Sequence, residues 1–476
     1  MNIRGWMTGA AFFLLAVQAD DAAAQAVAWR TPVSAETGQA GDPGSSYPFL
    51  PEAFEPDMPT PAIRFTSAGE PGYVLSGAGL LEPYPWNSDT TPYVAKVAAR
   101  DGRVLWRWRL VDGSPIPGRI RRIAIDSAGD VFAVGSQAGS NSDAQLLLVK
   151  LDGASGALRW RVDGAAGTAG YDVAVDAQSD VFVTRREAGD EPNGQAVSRY
   201  NGATGAAAWS TVLPSGETAW DDFRVAVDTE GAVIAGGYFM DYSVPSHGIQ
   251  LAKLDGATGT PVWRRRLANP SNAFGAGLLQ SLHVTGDGDV LVYGSAAGDP
   301  FSLYCLDGAS GATRWQQPQA DFEFRQLLID ASGRLFLGGS VAGPDATRIA
   351  EVRRLDPATG AAIWHADLPA GSPYSESEFL HGGSDATLLL AWASSDSVDE
   401  TMHASALSDE NGALLWQVAF GRPGSIENGI QDITQGEDGS VFVGAFTSEA
   451  SSDQTWTLYK ITGPFADDIF ANGYDR

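Results

Sequence analysis

The residues best suited to chemistry are scarce and scattered. The 476-residue chain holds five histidines, His247, His283, His365, His381 and His403, and one cysteine, Cys305. The histidines are widely separated and none forms the short H-x3-H spacing that would make a zinc site. Cys305 sits inside the apolar run FSLYCLDG, which reads as a small buried hydrophobe, and a single cysteine excludes an intramolecular disulfide. Neither a Gly-x-Ser-x-Gly element nor a phosphate-binding glycine loop is present. The acidic turns TGDGDV (Thr285 to Val290) and QGEDGS (Gln435 to Ser440) bring carboxylates together. A calcium loop needs about twelve residues closed by a bidentate acid, so these are read as hairpin turns. What remains is a set of segments, read as loops between strands, that mix acids, arginines and aromatics: YD, WDDFR, DFEFR, SESEF and IENGIQD. From them the ligand-binding candidates are Asp172, Trp220, Asp222, Arg224, Glu323, Arg325, Glu378 and Glu427. Such side chains orient polar ligands and exchange protons. As a set they carry no catalytic constellation and no metal-ligand pattern.

The elements that must position them come from an internal repeat. KLDGASGALRW, ending at Trp160, returns as KLDGATGTPVW, ending at Trp263. Related copies end at Trp106, Trp209, Trp315, Trp364 and Trp416, spaced 49 to 54 residues apart. In each copy a glycine lies four residues before the tryptophan: Gly102, Gly156, Gly205, Gly259, Gly311, Gly360 and Gly412. This is a hairpin, with an apolar strand, a short turn closed by a glycine at positive φ, and a strand presenting a large flat ring. A second motif alternates with it, as in IAIDSAGDVFAVG from Ile123 and VAVDTEGAVIAGG from Val225, and is also a hairpin of period-2 strands around an Asp/Gly/Ser turn. Two hairpins make a four-stranded unit of about fifty residues, and such units repeated in a circle make a β-propeller.

The last unit supplies a third strand, TWTLYKITG, without a tryptophan strand after it, while Trp29-Arg30 near the start matches Trp160-Arg161. The expected fold is therefore all-β, an eight-bladed propeller whose last blade is completed by the N-terminal strand. Seven blades is the alternative. Trp29, Trp106, Trp160, Trp209, Trp263, Trp315, Trp364 and Trp416 would form a structural girdle. The boundaries expected are an export signal over 1–26, the closing strand over 27–33, a Pro/Gly-rich connector over 34–61, repeats over 62–463 and a tail over 464–476.

The start of the chain has Arg4, an apolar stretch from Trp6 to Val17 and Ala24-Gln25-Ala26, the pattern of a cleavable secretory signal. With no cysteine there to carry lipid, the product is expected to be secreted or periplasmic, without a membrane span. A net charge of −27 disfavours nucleic acid and anionic membranes.

The pattern L-D-x-x-T/S-G-x-x-x-W, as at Leu254 to Trp263, resembles the tryptophan-docking repeat of the pyrroloquinoline quinone (PQQ)-like, quinoprotein alcohol dehydrogenase-like propeller superfamily. The resemblance implies the girdle. Enzymes of that superfamily carry adjacent cysteines over the quinone and a Glu/Asn/Asp set around calcium; this chain has one cysteine and no matching segments. The resemblance thus implies the non-enzymatic type, with neither PQQ nor calcium. The function expected is an exported, monomeric, non-catalytic binding or scaffold module for a protein, peptide or glycan. It would act through the longer-loop face near the central channel. The alternative is an oxidoreductase or hydrolase with its site at the channel mouth.

Overall fold

The computed structural model describes residues 26–32, 64–80, 90–112, 116–139, 144–187, 194–213, 223–241, 246–269, 278–295, 301–319, 321–344, 347–368, 374–384, 386–395, 400–420, 427–436, 438–448 and 454–462. Residues 1–25 of the expected export segment, the connector over 34–61, the tail, Trp220 and Asp222 lie outside the described residues, as do the side chains of Trp29, Glu378 and Glu427.

Among the described residues thirty-two strands form eight antiparallel four-stranded blades in an eight-bladed propeller. Seven blades run in chain order from the innermost strand outward. Their first strands are Arg64–Thr66, Gly118–Ile125, Ala169–Val175, Arg224–Val227, Leu278–Val284, Phe322–Ile329 and Tyr374–Gly382. Blade 8 begins at Glu427–Gln435, and its outermost strand is Ala26–Pro32, paired antiparallel with Gln454–Thr462. The N-terminal strand thus closes the ring. Blades 6 and 7 are additionally joined by one parallel pairing, Arg348 with Tyr374.

Burial explains the composition of each strand. Middle strands such as Val131–Ala138 and Ala144–Leu151 are almost continuously buried, because neighbouring blades pack on both of their faces. They therefore read as apolar runs, not as a strict alternation. Outermost strands such as Leu158–Ala166 and Thr313–Pro318 are half exposed. The core is a series of clusters between blades. One of them joins Tyr73 and Leu75 of blade 1 to Phe442 and Leu458 of blade 8.

The repeat is written for these junctions. In blade after blade the indole Nε1 of the tryptophan donates to a backbone carbonyl in the turn of the next blade. Trp106 reaches Gly153 at 3.2 Å, Trp160 reaches Gly202 at 3.0 Å, Trp209 reaches Gly256 at 3.0 Å, and Trp263 reaches Gly308 at 3.0 Å. Trp315 and Trp364 make the same bond to Pro357 and Asp409. The glycine four residues before each tryptophan serves two purposes. Gly259, for example, has φ +72°, and a Cβ there would lie 2.6 Å from the Trp209 ring of the preceding blade. A side chain would strain the backbone and displace the indole.

A cation on the third strand shares the task. Lys96 Nζ donates to Ala68 O at 2.6 Å and to Gly153 O at 3.1 Å, the same carbonyl that Trp106 uses. Arg199 reaches Gly256 O at 2.9 Å and Arg354 reaches Asp409 O at 3.1 Å. Across the closure, Lys460 reaches Ala99 O at 3.1 Å. Burial is the main influence on the Lys96 ammonium and holds its pKa below the usual lysine value, with Glu70 and Asp152 opposing.

Candidate functional site

The first strand of each blade lines the ring, and among the described residues six of the eight carry a β-bulge against the second strand. The register shifts between Ile120/Arg122, Gly170/Asp172, Leu279/Ser281, Phe324/Gln326, Ser377/Phe379 and Ile430/Asp432. A bulge re-aims the residues beside it. The residue after the bulge lies four positions before the first turn. In blade 4 the strand starts at the equivalent position, Arg224; in blade 1 that position lies outside the described residues. In blades 2 to 8 one residue per blade therefore occupies the same level: Arg122, Asp172, Arg224, Ser281, Gln326, Phe379 and Asp432. Two residues along, strand alternation places Arg64 in blade 1, His283 in blade 5 and His381 in blade 7 on the same side.

Charges one or two blades apart sense each other across this channel. Arg224 and Arg64 press on Arg122, Asp172 acts on His283, and Arg64 acts on His381. That pattern places the side chains in the common central space. Nearer contacts are more specific. Asp172 Oδ1 accepts from Val173 N at 2.9 Å, and its Oδ2 accepts from Val225 N of blade 4 at 3.1 Å. Asp432 Oδ1 accepts from Ile433 N at 2.9 Å, and Arg64 Nη1 lies 3.4 Å from its other oxygen. Gln326 accepts from Leu380 N of blade 7. The carboxylates thus align the first strands of adjacent blades.

Arg122 is different. Its Nε lies 4.0 Å from Asp172 Oδ1, too far for a hydrogen bond, and finds no acceptor in the structure. Its side chain is 23% exposed. Burial above all, then Arg224, pushes its pKa down to about 10, which leaves it protonated at neutral pH. His283 is driven to about 4 by burial, opposed by Asp172, and His381 moves in the same direction. Both imidazoles are neutral at pH 7.

The sequence candidates divide accordingly. Asp172 and Arg224 belong to the ring. Glu323 lies further back on its strand and forms ion pairs with Arg348 and, at 3.8 Å, with Arg325. Arg325 and Glu378 are the extra residues of their bulges, and Glu427 starts its strand. Expected on loops, Asp172, Arg224, Glu323, Arg325, Glu378 and Glu427 are in fact on first strands, because the bulges let short polar segments continue the pairing. The sequence reading missed Arg64, Arg122, His283, His381 and Asp432. For Arg122 and Asp432 the signal was the column just before the aligned hairpin copies, where residue type changes from blade to blade; Arg64, His283 and His381 share the second column within the copies.

Two other chemical groups are structural. Ser394 Oγ lies 2.8 Å from His403 Nε2, a pairing that suits a nucleophile and its base. Both are buried, at 6% and 7% exposure, and the imidazole stacks on Trp392 at 4.0 Å. Substrate has no access to the pair. Cys305 occupies the third-strand column where six other blades carry Lys or Arg and blade 7 carries Ala406, and burial pushes its thiol up to about 11. The acids it would have faced are served by Arg314, 3.1 Å from Asp289 and 2.8 Å from Asp307.

A family model described as outer membrane protein assembly factor BamB matches residues 91–241, 197–390 and 247–434. The chain belongs to this family of PQQ-like propellers. Among solved structures, the quinohemoprotein alcohol dehydrogenase ADHIIG from Pseudomonas putida HK5 superposes with a TM-score of 0.51 at 12% identity, covering 85% of this chain and 75% of the enzyme. Sqt1 from Chaetomium thermophilum, bound to the N-terminus of ribosomal protein L10, superposes with a TM-score of 0.50 at 13% identity, covering 82% and 93%. These likenesses show the fold. No curated protein sequence matches.

The PQQ-like fold raises the question of a quinone with calcium, and the donor set does not fit that pair. The channel presents the guanidiniums of Arg64, Arg122 and Arg224, and the two ring carboxylates are engaged by backbone amides. The single cysteine is buried within blade 5. Among the described residues no group of three His, Cys, Asp or Glu side chains is placed to hold a metal, and no helix is long and apolar enough to cross a membrane.

Proposed function

We propose that this propeller is an exported, non-catalytic scaffold that binds a segment of a partner protein at the channel face where the first strands begin. One observation carries the reading. Tryptophan and glycine positions repeat from blade to blade and six third-strand positions are Lys or Arg, whereas the inner-ring position carries Arg, Asp, Arg, Ser, Gln, Phe and Asp in blades 2 to 8. A repeat that keeps its packing residues and varies one converging column has a uniform scaffold and a specific surface. Three facts support it: the family description as an assembly factor, the capture of a protein N-terminus by Sqt1, and the export pattern at the start of the chain. Such a scaffold needs neither PQQ nor calcium.

Affinity capture from the exported protein fraction tests this. The wild-type chain should retain a discrete protein, and the face variant Arg224→Gln/Glu323→Gln should lose it at unchanged melting temperature. The outer-rim variant Arg265→Gln should keep it. Capture indifferent to the face substitutions would overturn the reading. So would turnover of esters, or of alcohols with PQQ and calcium added, by a site at the channel mouth.

A further inference from the structure

We infer that the inner ring holds an oxyanion, a carboxylate or phosphate group, between Arg122 and Arg224 at the channel. The inference rests on the reading of this ring as the recognition surface and gives its ligand chemistry.

Charge is the first consideration. Among the described residues the ring level and the level beside it carry three guanidiniums, Arg122 and Arg224 on the first and Arg64 on the second, against two carboxylates, Asp172 and Asp432. The histidines on the level beside it are neutral at pH 7. The centre is therefore positive in a chain whose net charge is −27. The carboxylates do not cancel the arginines contact for contact. Asp172 spends both oxygens on Val173 and Val225 amides, and Asp432 is divided between Ile433 N and Arg64. Arg122 keeps Asp172 at 4.0 Å, with a buried Nε that finds no acceptor. A buried donor without an acceptor is costly, and Arg224 adds like-charge repulsion. Both costs fall when an oxyanion bridges the two arginines, whose planar forks match carboxylate and phosphate oxygens. Arg122 is still 23% exposed, so the group is reached from solvent. A free small molecule and a peptide can both offer carboxylate or phosphate; the chemistry is shared.

The test titrates citrate, inorganic phosphate and an acetylated triglutamate amide separately into the full chain by calorimetry. At least one should bind saturably, and the tightest identifies the source. Arg122→Gln and Arg224→Gln should each weaken it tenfold or more, Arg122→Lys less, and Arg265→Gln not at all. Without anion, Arg122→Gln should melt no lower than wild type, since it removes a charge that lacks a full set of partners. Absence of saturable binding by all three probes, or equal binding by the two glutamine variants, would overturn the proposal. If the face variant still loses its partner while no anion binds, this inference fails and the scaffold reading stands. If anion binding depends on Arg122 while capture is indifferent to the face, this inference stands and the scaffold reading fails.

Discussion

Trp29 stands opposite Lys460 across a strand joint made from the two ends of the chain. The same pairing recurs within the blades: Trp106 faces Lys96, Trp160 faces Lys150, Trp209 faces Arg199 and Trp263 faces Lys253, each with a bulge beside it. The terminal strand is therefore the eighth copy of a structural register, and the closing blade is built like the others.

Removing residues 26–32 should destabilise the whole ring, since it strips the outer pairing from Gln454–Thr462 and opens the blade that meets blade 1. The expected fall in melting temperature is on the order of 10 °C, read by circular dichroism. An unchanged transition would mean that the joint contributes nothing to the fold.

Two glycines separate backbone strain from docking. Gly231 has φ +84° with nothing within 4 Å of where a Cβ would sit, while Gly259 has φ +72° and the Trp209 ring 2.6 Å away. Gly231→Ala should cost about 1–2 kcal/mol for the left-handed conformation alone. Gly259→Ala should cost about 1–3 kcal/mol more, for displacing the indole. Equal losses in denaturant unfolding would show that the ring exerts no pressure on the turn.

Acid should expose the buried histidines. His283 and His403 have pKa values lowered by burial to about 4 from an ordinary value of 6.5. Between pH 6.5 and 4 the unfolded chain binds protons that the folded chain refuses. Stability is thus full above 6.5 and is lost as pH falls toward 4. In His403→Gln the slope of unfolding free energy against pH in that window should shrink by up to about 1.4 kcal/mol per pH unit, one proton's worth. A slope identical to wild type would mean that His403 titrates normally.

Much of this architecture is legible in the sequence because packing repeats. The tryptophan spacing, the turn glycines and the Trp29 match point to blade number and closure, since each answers to a contact that every blade must make. The site is legible only in part. Asp172 and Arg224 stand out as polar residues beside strands, but a bulge such as that between Gly170 and Asp172 has no signature in residue type. Its effect on the channel is therefore hidden. Arg122 escapes notice because it sits within an otherwise ordinary strand, IRRIAI, whose two arginines look equivalent until the bulge separates them: Arg121 lies over the Tyr171 ring at 4.8 Å, and Arg122 faces the centre. The role of Lys96 and its counterparts is equally hidden, because a bond from a side chain to the carbonyl of the next blade leaves no mark on spacing.

Packing columns hold the ring while the inner-ring column does the binding. This division is tested most directly by melting Trp160→Phe and Arg122→Gln with and without the anion that binds wild type. Trp160→Phe loses the bond to Gly202 O, so it should be destabilised by about 1–3 kcal/mol and keep the full anion-induced rise. Arg122→Gln should melt no lower than wild type and lose that rise. A lower melting point for Arg122→Gln with its anion response intact would contradict the division of labour.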